Sequence, residues 1–349
     1  EVILPLFCIG EKMKKGIIKK GIQFYKRYGI RGGIATLTGQ GQIKDKNYAV
    51  WYEKNKVSEE ELKEQRNKEF PYMPLFSILV PVYNTPIPYL REMLDSVRNQ
   101  TYQKWQLCIA NANPENEDVA RILNQYIEMD IRIQVVNVPE NLGIAQNTNK
   151  ALSIANGDYI GLLDHDDMLA ADALFEVAKT INDKNADVIY TNEDKITMSG
   201  EKHFQPNFKP EYNLDMLRSN NYICHFFIAK ASLMKEIGGF RGEYNGAQDY
   251  DMIFRCTERA DNIVRIPKVL YHWRMHEQST AENPESKRYA FDAGKKVIED
   301  HLKRCEESAE VQMTEYPGFY RVKYAIKEKP RVSVVIVKET KNMIPKDTL

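Results

Sequence analysis

Gly157-Asp158-Tyr159-Ile160-Gly161-Leu162-Leu163-Asp164-His165-Asp166-Asp167-Met168 decides how the fold is read. Its apolar run, Tyr159 to Leu163, predicts a strand, and three carboxylates and an imidazole stand at the strand's end. Like charges this close repel one another. A divalent cation held by oxygen ligands would relieve the repulsion. In open α/β sheets, ligands sit just beyond the carboxyl ends of strands, where these acids fall. The stretch therefore points to a metal site for a diphosphate. The competing reading is a solvated turn that caps a helix beginning near Ala170.

Upstream, Phe76 to Asn84 reads as a buried strand ending in a turn, with Thr85 able to cap a helix and Pro86 at its first position. Leu90, Leu94 and Val97 mark the inner face of that helix. Trp105 to Ala110 is a second strand, 116 to 128 a helix, and Ile131 to Val138 a third strand. Asn141-Leu142-Gly143 is a turn before a helix striped by Ile144, Ala151, Leu152 and Ala155. Downstream come a helix (171 to 182) and a strand (Asp187 to Thr191). Strand-helix repeats at this spacing argue a parallel, doubly wound α/β sheet. After Thr191 the alternation stops. Lys195 to Phe204 reads as a hairpin, Tyr222 to Ala229 as a strand, and Lys230 to Ile237 as a helix closed by Gly238-Gly239. Gln248 to Arg259 is a helix, Val269 to Met275 a strand, and 284 to 304 a long helix. Mixed strands and aromatic loops suit a region that receives a varied substrate beside a fixed nucleotide site.

Lys+Arg and Asp+Glu both number 49, so no global field points to nucleic acid. The hydrophobic fraction of 43% can bury a core, and no apolar run approaches the roughly 20 residues of a membrane span. Five cysteines are scattered; Cys108, Cys224 and Cys256 read as buried thiols of a reducing compartment, hence a cytoplasmic location. Residues 11 to 31 are basic, with Ile18, Ile22 and Tyr25 at helical spacing. Such a stretch either lies peripherally on the inner face of a membrane or packs on the main domain with a solvated basic face. Residues 53 to 69 read as an exposed helix or linker. The chain opens on Glu1 without a signal peptide and reads as a piece of something longer. Lys329 to Val337 repeats the pattern of Pro74 to Val82, which suggests the first strand of a tandem second copy.

Six motifs occur in order: Val80-Pro81-Val82-Tyr83-Asn84, Asn141-Leu142-Gly143-Ile144, Asp164-His165-Asp166-Asp167, Gly238-Gly239-Phe240, Gln248-Asp249-Tyr250-Asp251 and Tyr271-His272-Trp273-Arg274-Met275-His276. Over roughly residues 74 to 305 the chain resembles a family 2 glycosyltransferase with the GT-A fold, a Rossmann-like nucleotide-diphospho-sugar transferase with a mixed central sheet. More narrowly it resembles rhamnan-synthesis-type members, some with tandem domains. The division implied is an N-terminal helical extension (1–73), a nucleotide-sugar half (74–192), an acceptor half (193–305), and a linker with the first strand of a second domain (306–349).

The resemblance implies inverting transfer of a sugar from a UDP- or dTDP-sugar to a glycan or lipid-linked glycan acceptor, with Mn²⁺ or Mg²⁺ as cofactor. Asp164 and Asp166 match the family's D-x-D: Asp166 on the metal, Asp164 near the ribose and a second ligand. Asp167 is either a further ligand or a helix cap. Asp249 matches the catalytic base, in preference to Asp251; Gln248 stands where an acid is usual. His272, Arg274 and His276 would share one face of a strand. His276 is the expected metal ligand and Arg274 the expected diphosphate holder. His225 reads as a core histidine or as lining for the acceptor site. Pro81, Tyr83 and Asn84 are expected to shape the nucleoside pocket. Asn111 and Asn113 flank Ala112 where relatives usually carry an Asp-Asp pair; an amide still offers a carbonyl and an NH₂ to a base. That departure motivates a second reading, a catalytically weak glycan-binding or scaffolding domain beside an active tandem partner. A dinucleotide oxidoreductase is disfavoured, since no G-x-G-x-x-G follows the first strand. A D-x-D phosphatase would want its acids after the first strand, where Tyr83-Asn84 stand.

Overall fold

The computed structural model describes residues 40–275, 288–326, 328 and 331–335. The basic stretch 11–31 lies outside them. Two helices come first, α1 (Gln40–Asn55) and α2 (Glu59–Arg66). Ser58 starts α2 with a reciprocal cap: its hydroxyl accepts the Glu61 N–H, and the Glu61 carboxylate accepts the Ser58 N–H at 2.8 Å.

Strict alternation follows: β1 (Phe76–Val82), α3 (Ile87–Arg98), β2 (Trp105–Asn111), α4 (Glu117–Met129), β3 (Ile133–Asn137), α5 (Ile144–Leu152) and β4 (Tyr159–Leu162). These four strands are parallel, in the order β3-β2-β1-β4. Helices cover both faces, so every side chain of β2 is buried and β1 is an unbroken apolar run apart from Ser77. On α3, Leu90, Met93, Leu94 and Val97 recur at three- and four-residue spacing and are buried against that sheet. Two glycines of the central stretch let β4 lie close to its neighbours. A Cβ on Gly157 would stand 2.6 Å from the Leu75 carbonyl, and one on Gly161 would stand 2.9 Å from Ile78 Cδ1.

Beyond β4 come β5 (Met168–Leu169), α6 (Ala173–Lys184), β6 (Val188–Ile196), β7 (His203–Asn207), α7 (Leu214–Ser219), β8 (Phe227–Lys230), α8 (Ala231–Glu236), α9 (Gln248–Thr257), β9 (Ile263–Arg274), α10 (Arg288–Arg304), β10 (Ala309–Met313) and β11 (Tyr320–Tyr324). The sheet continues β4-β8-β6-β9-β5, with β7 on β6. β8 is antiparallel to both neighbours, and β9 is parallel to β6. The sheet is therefore mixed; the parallel pattern suggested by alternation holds for β1 to β4 and returns between β6 and β9, with β8 antiparallel between them. A short turn such as that joining β6 to β7 can only return the chain antiparallel.

Residues 309–324, within the expected linker, form an antiparallel hairpin, β10–β11, packed on α10 and α7 with Val311 and Tyr320 buried. Residues 331–335, part of the expected repeat strand, are not in a strand, and Val332, Val334 and Val335 are exposed. Among the described residues no helix is long and apolar enough to cross a membrane.

Candidate active site

After β4 the chain turns, and the Asp167 N–H donates to the Asp164 carbonyl at 3.3 Å. β5 then pairs with β9 at Met168–His272 and Leu169–Tyr271, which sets β9 beside the acids. Asp167 is fully buried and accepts hydrogen bonds from the Tyr271 hydroxyl (2.6 Å) and the Arg274 N–H (2.7 Å). Burial, and then the charges of Asp166 and Asp164, push its carboxyl well above the usual range. The His225 ring stacks on Tyr271 with centroids 4.7 Å apart, and its Nε2 stands 3.7 Å from Asp164 Oδ2. Ligand atoms of Asp164, Asp167 and His225 all lie within 4.8 Å of one another. Two carboxylates and an imidazole fit a first-row divalent ion such as Mn²⁺. Asp166 stands aside from this trio, its Oδ1 3.7 Å from His165 Nδ1. The structure thus groups Asp164 with Asp167 and His225. The expected third ligand, His276, lies outside the described residues.

The loop carrying His225 is anchored from below. Lys209 is buried, and its ammonium donates to Glu193 Oε2 (3.0 Å), to the Ile223 carbonyl (2.6 Å) and to the His225 carbonyl. All three ammonium protons are thereby used. In the same loop, Asn221 Nδ2 donates to Asp249 Oδ2 at 2.8 Å. Asp249 lies in the first turn of α9. Burial raises its carboxyl above the ordinary aspartate value and the charge of Asp164 adds to this, while His225, the Tyr250 N–H and Asn221 pull the other way. Asp251 is built differently. It is fully buried between Arg241 and Arg255, with Arg255 Nη2 at 2.6 Å. Arg255 also holds the Ile237 and Gly239 carbonyls, so Asp251 ties α9 to that turn.

At the ends of β1 and β2, Pro81 closes the first strand and Tyr83 is 46% exposed. Asn84 has φ +52°, a left-handed conformation that asparagine tolerates, and its Oδ1 accepts from the amides of Asn113 (2.8 Å) and Asn116 (3.1 Å). Asn111 is the expected base-reading amide. It is buried, donating to Asn137 Oδ1 at 3.3 Å and accepting the Asn113 N–H at 3.2 Å.

Arg274, the expected diphosphate holder, is enclosed. Its side chain is wholly buried: Nε donates to the Asp166 carbonyl (2.7 Å), Nη1 to the Met198 carbonyl (2.9 Å) and Nη2 to Glu92 (2.5 Å). A guanidinium so enclosed fixes the acidic turn and is not presented to a diphosphate. The physical reason is strand alternation. Tyr271 and Trp273 face His225, so His272 and Arg274 face away. His272 bonds instead to Asp194, through Nδ1 at 2.6 Å. That carboxylate also takes His203 Nδ1 (2.8 Å) and the Tyr48 hydroxyl of α1 (2.7 Å), while Tyr52 of α1 stacks on His203 at 3.9 Å. Asp194, His203 and His272 also lie within metal-ligand spacing, but their facing atoms are paired with one another in a cluster that holds α1 down.

Sequence reasoning did not offer His225 as a candidate ligand, gave Asn221 and Tyr271 no role of their own although Tyr271 opens a quoted motif, and missed Lys209. Their contacts join distant segments, which a local pattern does not reveal.

A sequence profile described as glycosyl transferase family 2 matches residues 77–238. The chain is 30% identical over 209 residues to an uncharacterized glycosyltransferase, MJ1057 of Methanocaldococcus jannaschii, covering 58% of this chain and 71% of that protein. It is 33% identical over 264 residues to the O-antigen biosynthesis protein RfbC of Myxococcus xanthus, covering 75% of this chain and 20% of that one. The chain spans about a third or less of the length of the first curated relatives it matches. A crystal structure of S. aureus TarS with UDP-GlcNAc superposes with a TM-score of 0.54 at 20% identity, over 65% of this chain and 66% of that one. The fold is the GT-A fold, and the chain belongs to glycosyltransferase family 2.

Proposed function

We propose that this chain is an inverting, divalent-metal-dependent glycosyltransferase that moves a sugar from a nucleotide diphosphate, a UDP- or dTDP-sugar, onto a hydroxyl of a growing cell-surface glycan. One observation carries the reading: Asp164, Asp167 and His225 converge on one corner, and Asp249, with no arginine clamp among the described residues, feels the charges of both Asp164 and His225. TarS holding UDP-GlcNAc supports a nucleotide-sugar donor, and RfbC supports polysaccharide synthesis as the setting.

The residues divide the work. Asp164, Asp167 and His225 would hold the cation, with Asp166 next to them in the same turn. Bound there, Mn²⁺ or Mg²⁺ supplies Lewis-acid stabilisation to the leaving diphosphate. Asp249 takes the proton of the acceptor hydroxyl as that oxygen bonds to the anomeric carbon; the carbon–oxygen bond to the diphosphate breaks, and its electron pair leaves with the diphosphate. A raised carboxyl is the stronger base for that step. Tyr83, Asn84 and Asn113 would shape the nucleoside pocket. Residues 74–192 would then be the donor half and 193–305 the acceptor half.

Asp249→Asn is expected to bind UDP with Mn²⁺ as the parent does and to lose transfer. Hydrolysis of a panel of nucleotide sugars, with and without chelator, identifies the donor. Equal donor binding in both conditions would reject the metal. The inward-turned Asn111 favours the second reading, a weak glycan-binding domain; failure to bind UDP by calorimetry would select it.

A further inference from the structure

A second convergence of ligand atoms lies on the face of β9 opposite to His225. Asp194 of β6, His203 of β7 and His272 of β9 bring one carboxylate and two imidazoles within 4.8 Å of one another, on three paired strands. The two carboxylate oxygens divide between the rings: Oδ1 stands 2.6 Å from His272 Nδ1, and Oδ2 stands 2.8 Å from His203 Nδ1. A fourth atom comes from α1, the Tyr48 hydroxyl, 2.7 Å from Asp194 Oδ2. Asp194 is wholly buried and His272 nearly so. Burial opposes charge on Asp194, but His272 and His203 outweigh it and hold the carboxyl below the ordinary aspartate value, so this ligand is ionised.

Two imidazoles, a carboxylate and a phenol oxygen suit Zn²⁺ in kind and number. Zinc takes four such ligands tetrahedrally at roughly 2.0–2.2 Å, so they stand roughly 3.3 Å apart. The carboxylate–imidazole distances are about 0.5–0.7 Å shorter than that, a difference that a small outward tilt of the two rings supplies. The pairs are closed by a proton on each Nδ1. A neutral imidazole can carry that proton on Nε2 instead. Both Nδ1 lone pairs then face the carboxylate, and a cation between them relieves the repulsion. The Tyr52 hydroxyl, 3.3 Å from His272 Nε2, stands ready to accept the moved proton. A metal-bound histidine characteristically has such a partner on its other nitrogen. Tyr52 also stacks on His203 at 3.9 Å and covers that ring. Glu258, His301 and Cys305 have similar spacing but different chemistry. Arg304 Nη2 bonds Glu258 at 2.7 Å and Arg218 bonds His301 Nε2 at 3.0 Å, so guanidinium cations already fill that cluster.

We propose that Asp194, His203 and His272, closed by the Tyr48 hydroxyl, form a structural zinc site that fastens α1 to the sheet. The site is separate from the donor corner, and the inference does not rest on the transfer reading. The full chain, stripped with chelator, is titrated with Zn²⁺ by calorimetry, and its melting temperature is followed with and without zinc. The same is done for His225→Ala, which removes an imidazole from the donor corner and leaves this cluster whole. Parent and His225→Ala both bind zinc and melt higher with it. Adding His203→Ala to His225→Ala weakens zinc binding about a hundredfold or more and removes the gain in melting temperature. Adding His203→Cys instead keeps the zinc, because a thiolate is also a zinc ligand, and this separates loss of a ligand from loss of the fold. No zinc bound by the parent, or an affinity unchanged by His203→Ala, would overturn the site. Loss of zinc in the cysteine variant would overturn it too. Zinc bound by the parent but lost in His225→Ala would put the ion at the donor corner and count equally against the proposal.

Discussion

Arg274→Lys separates two roles for one cation. A guanidinium that held a diphosphate would face solvent, and an ammonium could stand in for it with modest loss. Arg274 instead uses its planar fork on three separate acceptors, the Asp166 carbonyl, the Met198 carbonyl and Glu92, and lies 4.7 Å over the Tyr89 ring. A lysine has no fork and reaches one of these well. Two acceptors then lose a charged donor, at about 1.5 kcal/mol or more each. The sum is about 3 kcal/mol of folding stability, or about 6 to 12 °C in melting temperature for a domain of this size. Thermal unfolding and urea titration of the full chain measure it, with UDP and Mn²⁺ calorimetry alongside. A lysine variant that melts with the parent but binds UDP more weakly would refute the reasoning, because only a solvent-facing cation behaves that way.

Other substitutions test the remaining parts. Lys209→Met leaves Glu193 buried without its partner, so about 3 to 5 kcal/mol is lost. Lys209→Met/Glu193→Gln is expected to recover part of that, which a double-mutant cycle reads directly. Asp251→Asn weakens the clamp of Arg241 and Arg255 and lowers the melting temperature, whereas Asp249→Asn leaves it near the parent value; the reverse order would exchange the roles assigned to the two acids. Glu258 supplies an acid-limb prediction. Burial opposes its charge, but His301 and Arg304 outweigh burial and draw it from 4.5 down to about 2. Its contribution is present above the ordinary glutamate value and is lost as pH falls through about 2. Glu258→Gln should flatten that part of the stability profile.

The first half of the fold was legible because its strands are short, mainly apolar segments between turn residues, alternating with longer stretches of helical spacing. The start of β9 was not: Arg265, Pro267 and Lys268 interrupt the pattern, and Pro267 in particular reads as a break. The order β8-β6-β9 was equally hidden, since it joins segments tens of residues apart. In the site, crowded carboxylates after a strand announce themselves by charge alone. Arg274 was expected at a phosphate through the family resemblance, and alternation along a strand cannot say which face meets the cleft. His225 reads as an ordinary core residue until Lys209 and Tyr271 are seen on either side of it, one under its carbonyl and the other beneath its ring.

On paired strands β6 and β9, Glu193 sits opposite Tyr271, and Asp194 sits opposite His272. The first pair leans on the cleft and the second carries α1. Shortening the protein to begin at Pro74 would strip the hydroxyls of Tyr48 and Tyr52 from the second pair and let water reach a carboxylate otherwise sealed off. The disturbance would begin a single peptide link from the groups that steady His225 and Asp167. The leading helix is in this sense a keystone for the neighbouring pocket, and a trimmed fragment is a poor substitute for the longer chain in any binding measurement.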